Sequence, residues 1–166
     1  MGQNLPGFNG RADMAERITI SFVDSKISQV HDNWLTMNYR IIRYSRIQNR
    51  GLMDSLVSEN NLYNKSFDFQ LSSVCNHSIM YGDSFSRSMN SLGNEAFDFF
   101  SDFEVIQKQW AIENGVSFDQ KSWKRDIIFA QISYYKADVV YFQDTENLEE
   151  NSRKELKKRF PFLKII

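Results

Sequence analysis

The sequence predicts an α/β domain, a Rossmann-like three-layer sandwich around a mainly parallel sheet, and three observations predict it. Short apolar runs of strand length alternate with longer segments of helical periodicity, the pattern of strand–helix–strand units joined by right-handed crossovers. The strand candidates end abruptly in polar residues, as strands do where an open parallel sheet meets a ligand crevice. At 166 residues and 42% apolar, with fourteen phenylalanines, the chain can bury the core of one domain of ordinary size.

Residues 1–15 contain Gly2, Pro6, Gly7 and Gly10 and no periodicity, which predicts a flexible or vector-derived arm ahead of one Rossmann-like domain over residues 16–166. The first strand is expected at RITISFVDS, where Ile18, Ile20 and Phe22 alternate before Asp24 and Ser25 end the run. Over residues 31–65, the three-to-four spacing of Trp34, Met37 and Ile41 favours helix, NRG at 49–51 breaks it, and SENNLYNKS is a polar loop. Leu71, Cys75, Gly82, Phe85, Met89 and Leu92 mark one apolar helical face; Gly82 divides it into two helices if a new N-terminus forms at Asp83 or Ser84, and Gly93 stops it. NEAFDFFSD is the second strand, with Phe97 and Phe99 on one face and Ala96 and Phe100 on the other. A helix over residues 105–113 closes at Asn114 and Gly115, and SWKRDIIFAQISYYK forms a well-buried helix through Ile127, Ala130, Gln131 and Tyr134 with Ile128, Ile132 and Tyr135 beside them. The third strand is KADVVYFQD. In the helix that follows, Asn147 and Glu150 have N-cap and N3 spacing, Lys157, Lys158 and Arg159 crowd the last turn, and Pro161 comes next. FLKII is the fourth strand; the chain stops there with no covering helix, which leads us to expect a domain cut from a longer protein.

Twenty basic against 21 acidic side chains create no bulk field towards nucleic acid or an anionic membrane. The single cysteine, Cys75, forms no internal disulfide and fits the cytoplasm, and its place on an apolar helical face predicts a buried, inert thiol. No run approaches the ~20 apolar residues that span a bilayer. We therefore expect a cytoplasmic or membrane-peripheral protein without a transmembrane segment and without a nucleic-acid partner.

Three strand ends, Asp24–Ser25, Ser101–Asp102 and Gln143–Asp144, fall on one edge of a parallel sheet. Converging carboxylates and hydroxyls there can hydrogen-bond a polyol or position a general base, while the same residue types also cap helices. The chain has no G-x-G-x-x-G after its first strand, no P-loop, no G-x-S-x-G and no Asp-x-Asp, and neither His31 nor His77 has a partner at ligand spacing. No metal and no cofactor are expected.

The run MYGDSFSRSMNSLGNEAFDFFSDFEVIQKQWAIENG, residues 80–115, resembles the amino-terminal half of GT-B glycosyltransferases, in particular the CgeB-like proteins related to glycosyltransferase family 4. The matching residues are Gly82, Asp83, Ser84, Phe85, Leu92, Gly93, Asp102, Gln107, Trp110, Ala111, Glu113 and Asn114, and a second motif matches at Ala137, Asp138, Val139, Tyr141, Gln143 and Asp144. The likeness covers residues 66–166 and departs at NEAFD, where the family usually has Gly-Tyr-Glu-Ala. It implies an architecture of two Rossmann-like domains, in which an amino domain binds the acceptor and a carboxyl domain binds most of the nucleotide-sugar donor. This chain would then be the acceptor domain of a metal-independent glycosyltransferase for a bacterial surface polysaccharide or glycoconjugate, inactive by itself. On that expectation the acceptor meets Asp24, Ser25, Asp102, Gln143 and Asp144, with Tyr81, Asp83 and Ser84 as further contacts. The alternative is a free-standing Rossmann-like module that binds a protein or small polar ligand without catalysis; an exposed sheet edge near Ile165 would speak against it.

Overall fold

The computed structural model describes residues 38–77 and 82–165; the strand expected at RITISFVDS, with Asp24 and Ser25, and Tyr81 lie outside the described residues. Four strands, β1 (Arg40–Ser45), β2 (Glu95–Phe100), β3 (Val139–Phe142) and β4 (Lys164–Ile165), form an all-parallel sheet in the order β2-β1-β3-β4. Among the described residues six α-helices flank it: α1 (Arg50–Glu59), α2 (Phe67–Asn76), α3 (Ser84–Ser91), α4 (Glu104–Glu113), α5 (Trp123–Tyr134) and α6 (Glu150–Arg159). This is the α/β fold the alternation of patterns predicts.

The parallel register lines side chains up in rows across the sheet. Phe97, Ile42, Val140 and Ile165 form one row and Phe99, Tyr44 and Phe142 another, both on the same face. Onto them pack Phe67 and Val74 of α2, Ile106 and Trp110 of α4, Ile127, Ile128 and Ile132 of α5, and Leu156 of α6, which make the main core. The opposite face carries the rows Ala96–Ile41–Val139 and Asp98–Arg43–Tyr141. There Phe85 and Met89 of α3 cover a much smaller apolar cluster of Ile41, Ala96 and Val139. The connections from β2 to β3 and from β3 to β4 run in one direction along the sheet and share a helical face. The connection from β1 to β2 runs back and ends in α3 on the other face, as a consistent crossover hand requires.

Three expectations are corrected. Ile41 lies in the central strand and not in a helix: RIIRYS is buried from Ile41 to Ser45, and a strand covered on both faces has no alternation to separate it from a helical stripe. NRG opens a helix and does not break one, because Asn49 is the N-cap of α1 and its side chain accepts from Leu52 N at 3.0 Å. Asn147 likewise does not cap α6, which begins at Glu150 after Glu149. Asn147 is buried in a 3₁₀ turn, Thr145–Asn147, where its amide is engaged elsewhere.

The divided reading of residues 69–92 holds, with α2 ending at Asn76 and α3 beginning at Ser84 after Asp83. Gly82 between them has φ +48°, and a Cβ there would lie 2.9 Å from the Cys75 carbonyl oxygen, so a side chain is excluded by conformation and by contact.

Candidate functional site at the carboxyl edge of the sheet

Strand order reverses between β1 and β3, and the carboxyl ends of strands at such a reversal are where open α/β sheets place ligands. Hydrogen bonds hold the three strand ends together. After β1 the chain turns through Gln48 at φ +59°, a left-handed conformation costly for a non-glycine residue. Asp102, just past β2, holds that turn: its Oδ1 accepts from Ile47 N at 3.0 Å and its Oδ2 from Gln48 N at 2.9 Å. Asp144, just past β3, accepts from Glu146 N at 2.7 Å through Oδ1 and from Gln48 Nε2 at 2.7 Å through Oδ2. Arg46 bridges all three acids: it donates to the Glu146 carboxylate, reaches Asp144 Oδ2 at 3.5 Å, and lies 3.9 Å from Asp102 Oδ2. Lys124 of α5 donates to the Glu146 carbonyl at 3.2 Å.

Beneath this charged patch, Ser101 Oγ donates to Asn147 Oδ1, and Asn147 Nδ2 donates to the Asp144 carbonyl at 2.8 Å. Both side chains are fully buried, so the ends of β2 and β3 are fixed from inside as well. The Glu146 amide, with Arg46 and Gln48 beyond it, holds the Asp144 carboxyl below the usual carboxylate range against the opposing effect of burial. Burial, and then the charge of Arg46, pull Lys124 below the usual lysine value. Asp144 is thus an anion at neutral pH and a weak base.

Next to the patch, between the first turns of α1 and α4, opens a cleft of about 560 Å³ that shares Asp102 with it. Arg50 and Asp54 of α1 and Glu104 of α4 supply its polar wall, with Lys108 2.5 Å from the Glu104 carboxylate; Met53, Val57 and Ile112 supply its apolar wall, and Tyr63 stands 71% exposed at its side. Gln70 closes the cleft with both amide hydrogens fixed, on Leu62 O at 2.7 Å and Lys65 O at 3.0 Å, while its Oε1 has no partner among the described residues.

A second hollow, of about 400 Å³, lies on the opposite face of the sheet and is lined by Arg43, Ser84, Phe85, Ser88, Tyr141 and Gln143. Arg43 is buried and paired with buried Asp98 at 2.5 Å; its Nη2 donates to Gly82 O at 2.8 Å and its guanidinium stacks 5.3 Å from the Phe85 ring.

The sequence-predicted residues therefore divide. Asp102 and Asp144 meet in one patch. Gln143 and Ser84 meet in the hollow, because strand alternation sends Gln143 to the face opposite α5 although Asp144 is its neighbour. Asp83 pairs with Arg87 at 3.0 Å on the surface of α3. Sequence reasoning missed Arg46, Gln48 and Lys124. The polar stretch that begins at Arg46 is itself a strand end, and a strand assignment for RIIRYS would have found it.

Among the described residues no group of three or more His, Cys, Asp and Glu side chains is arranged to hold a metal ion, and no helix is long and apolar enough to cross a membrane. Comparison with protein-family models, curated proteins and solved structures returns no match. The class that fold and site define is a parallel α/β domain with a charged carboxyl-edge patch beside an amphipathic cleft.

Proposed function

We propose that this domain binds a hydroxyl-bearing acceptor in the carboxyl-edge cleft, as the acceptor-side half of a nucleotide-sugar-dependent glycosyltransferase acting on a surface polysaccharide or glycoconjugate. The observation that carries the reading is Asp102, common to the charged patch and the cleft, in the crevice position of a parallel sheet. The cleft chemistry suits a saccharide. Carboxylates at Asp54 and Glu104 accept from sugar hydroxyls, Arg50 donates to them, and Tyr63 with Met53, Val57 and Ile112 offers apolar surface to the C–H face of a ring. The side chains of Arg50 and Asp54 have no partner among the described residues and are free to engage a ligand. The two motifs at residues 80–115 and 137–144 supply the enzyme class, and the donor falls to a second domain.

The test is an NMR titration of the ¹⁵N-labelled chain with bacterial surface oligosaccharides. The expected result is saturable shifts at α1 and α4 amides that Asp54→Ala together with Arg50→Ala weakens about tenfold, as the loss of one or two hydrogen bonds to charged groups would. A titration in which no oligosaccharide moves those amides sinks the reading.

One observation favours binding without catalysis: both Asp102 oxygens are taken by main-chain N–H groups and Asp144 is held in its ionised form, so neither is poised to remove a proton. The mass of the endogenous polypeptide separates the readings. A species about twice this length accommodates a donor domain, and one of this length leaves a binding module.

A further inference from the structure

We infer that the hollow between β3 and α3 is a second binding site, for a neutral hydroxylated ring the size of one sugar unit. It lies on the opposite face of the sheet from the helices that frame the cleft, so it stands whatever occupies that cleft. Its lining carries polar groups that the fold leaves unused. Among the described residues the Gln143 side chain makes no hydrogen bond, and its Oε1 is buried without a partner. Among the described residues neither the Tyr141 nor the Ser84 hydroxyl has a hydrogen-bond partner, and Arg43 is ion-paired with Asp98 and donates through Nη2 to Gly82 O but makes no hydrogen bond through Nη1. Buried polar groups in native proteins are nearly always satisfied, so the buried, unpartnered Gln143 Oε1, gathered with two half-exposed hydroxyls and a buried guanidinium, points to a missing partner.

The chemistry of that partner follows from what is offered. Donors and acceptors stand side by side, which suits hydroxyls because each hydroxyl both gives and accepts. The guanidinium charge is already matched: Asp98 holds it at 2.5 Å with both groups about 95% buried, and the second Asp98 oxygen accepts from Ser86 N at 2.8 Å. An anion would have to compete with Asp98 and a cation would face Arg43, so the ligand is neutral. The rings of Phe85 and Tyr141, 5.8 Å apart and inclined at 43°, give an aromatic wall for the C–H face of a ring. About 400 Å³ lies within the range of small-molecule sites.

The experiment is an NMR titration of the full chain with methyl glucoside, methyl galactoside and methyl mannoside as probes, and inorganic phosphate in parallel. At least one glycoside is expected to give saturable shifts of the Gln143 side-chain amide and of the Ser84 and Phe85 main-chain amides. Gln143→Leu should weaken that binding about tenfold and Tyr141→Phe several-fold, the size expected for losing a hydrogen bond. Neither change should lower the melting temperature, because neither polar group is bonded to any of the described residues. No glycoside shifts at these residues, shifts unchanged in Gln143→Leu, or equal shifts with phosphate would each overturn the inference. Shifts confined to α1 and α4 would overturn it too, while leaving the acceptor cleft standing.

Discussion

The two faces of the sheet use the same four strands differently. One face presents Ile42, Tyr44, Phe97, Phe99, Val140 and Phe142 to helices packed along its length, so it is nearly all apolar. The other places an arginine and an aspartate side by side in the row between them and, among the described residues, covers them with α3 alone. Apolar burial at roughly 25 cal/mol per Å² makes the first face the source of stability. A buried ion pair contributes little net stability over an apolar pair of the same size, yet losing one partner is severe. The second face is therefore where the fold tolerates groups that can serve a ligand.

The largest expected effect tests that asymmetry. Asp98→Ala leaves Arg43 charged and buried and should cost about 3–5 kcal/mol in chemical denaturation, whereas Arg43→Met with Asp98→Leu should recover most of it. If the single and double variants were equally unstable, the polar face would owe its stability to the charges themselves. A smaller loss is expected on the apolar face. There the Tyr44 hydroxyl, kept neutral by burial well beyond physiological pH, donates to Gln131 Oε1 at 2.9 Å. Tyr44→Phe should cost about 1–3 kcal/mol by leaving that amide oxygen short of a donor, and an unchanged melting temperature would refute the assignment.

The smallest effect concerns Cys75, at the β2 edge where the faces meet. Burial, and then the charges of Asp83 and Asp98, raise its thiol from 9.0 to about 11. The raised value favours the protonated thiol in the folded state, so the contribution is complete below about 9 and is lost as pH rises through about 11. Cys75→Ala should flatten the alkaline limb of a stability–pH profile. A profile with the same slope in both proteins would show that the thiol ionises as freely in the folded chain as in the unfolded one.

Much of this was legible in the sequence, for reasons that differ by element. NEAFDFF and VVYF announce themselves as strands, and the amphipathic stripes of α4 and α5 and the charge gradient of α6 fix those helices. The central strand was hidden because RIIRYS carries two arginines and sits between two layers. Recognising Arg43 as a core residue requires knowing that it lies in register with Asp98, 55 positions away, which only the sheet supplies. The carboxyl edge was half visible. Asp102 and Asp144 follow recognisable strands, while Arg46, Gln48 and Lys124 reach them from a misassigned strand end and from a helix.

The core also holds a polar relay with a consequence for folding specificity. Gln131, having accepted the Tyr44 hydroxyl, donates to Gln107 Oε1 at 2.9 Å, and Gln107 donates to the Phe100 carbonyl at 3.0 Å. Each link has one direction, so the relay closes only when β1, the end of β2, α4 and α5 sit in a single mutual setting. A compact competitor with α5 rotated by one residue, equally greasy and equally dense, would strand these groups together. Oil-like collapse cannot tell such a state from the native one; two glutamines and a tyrosine can.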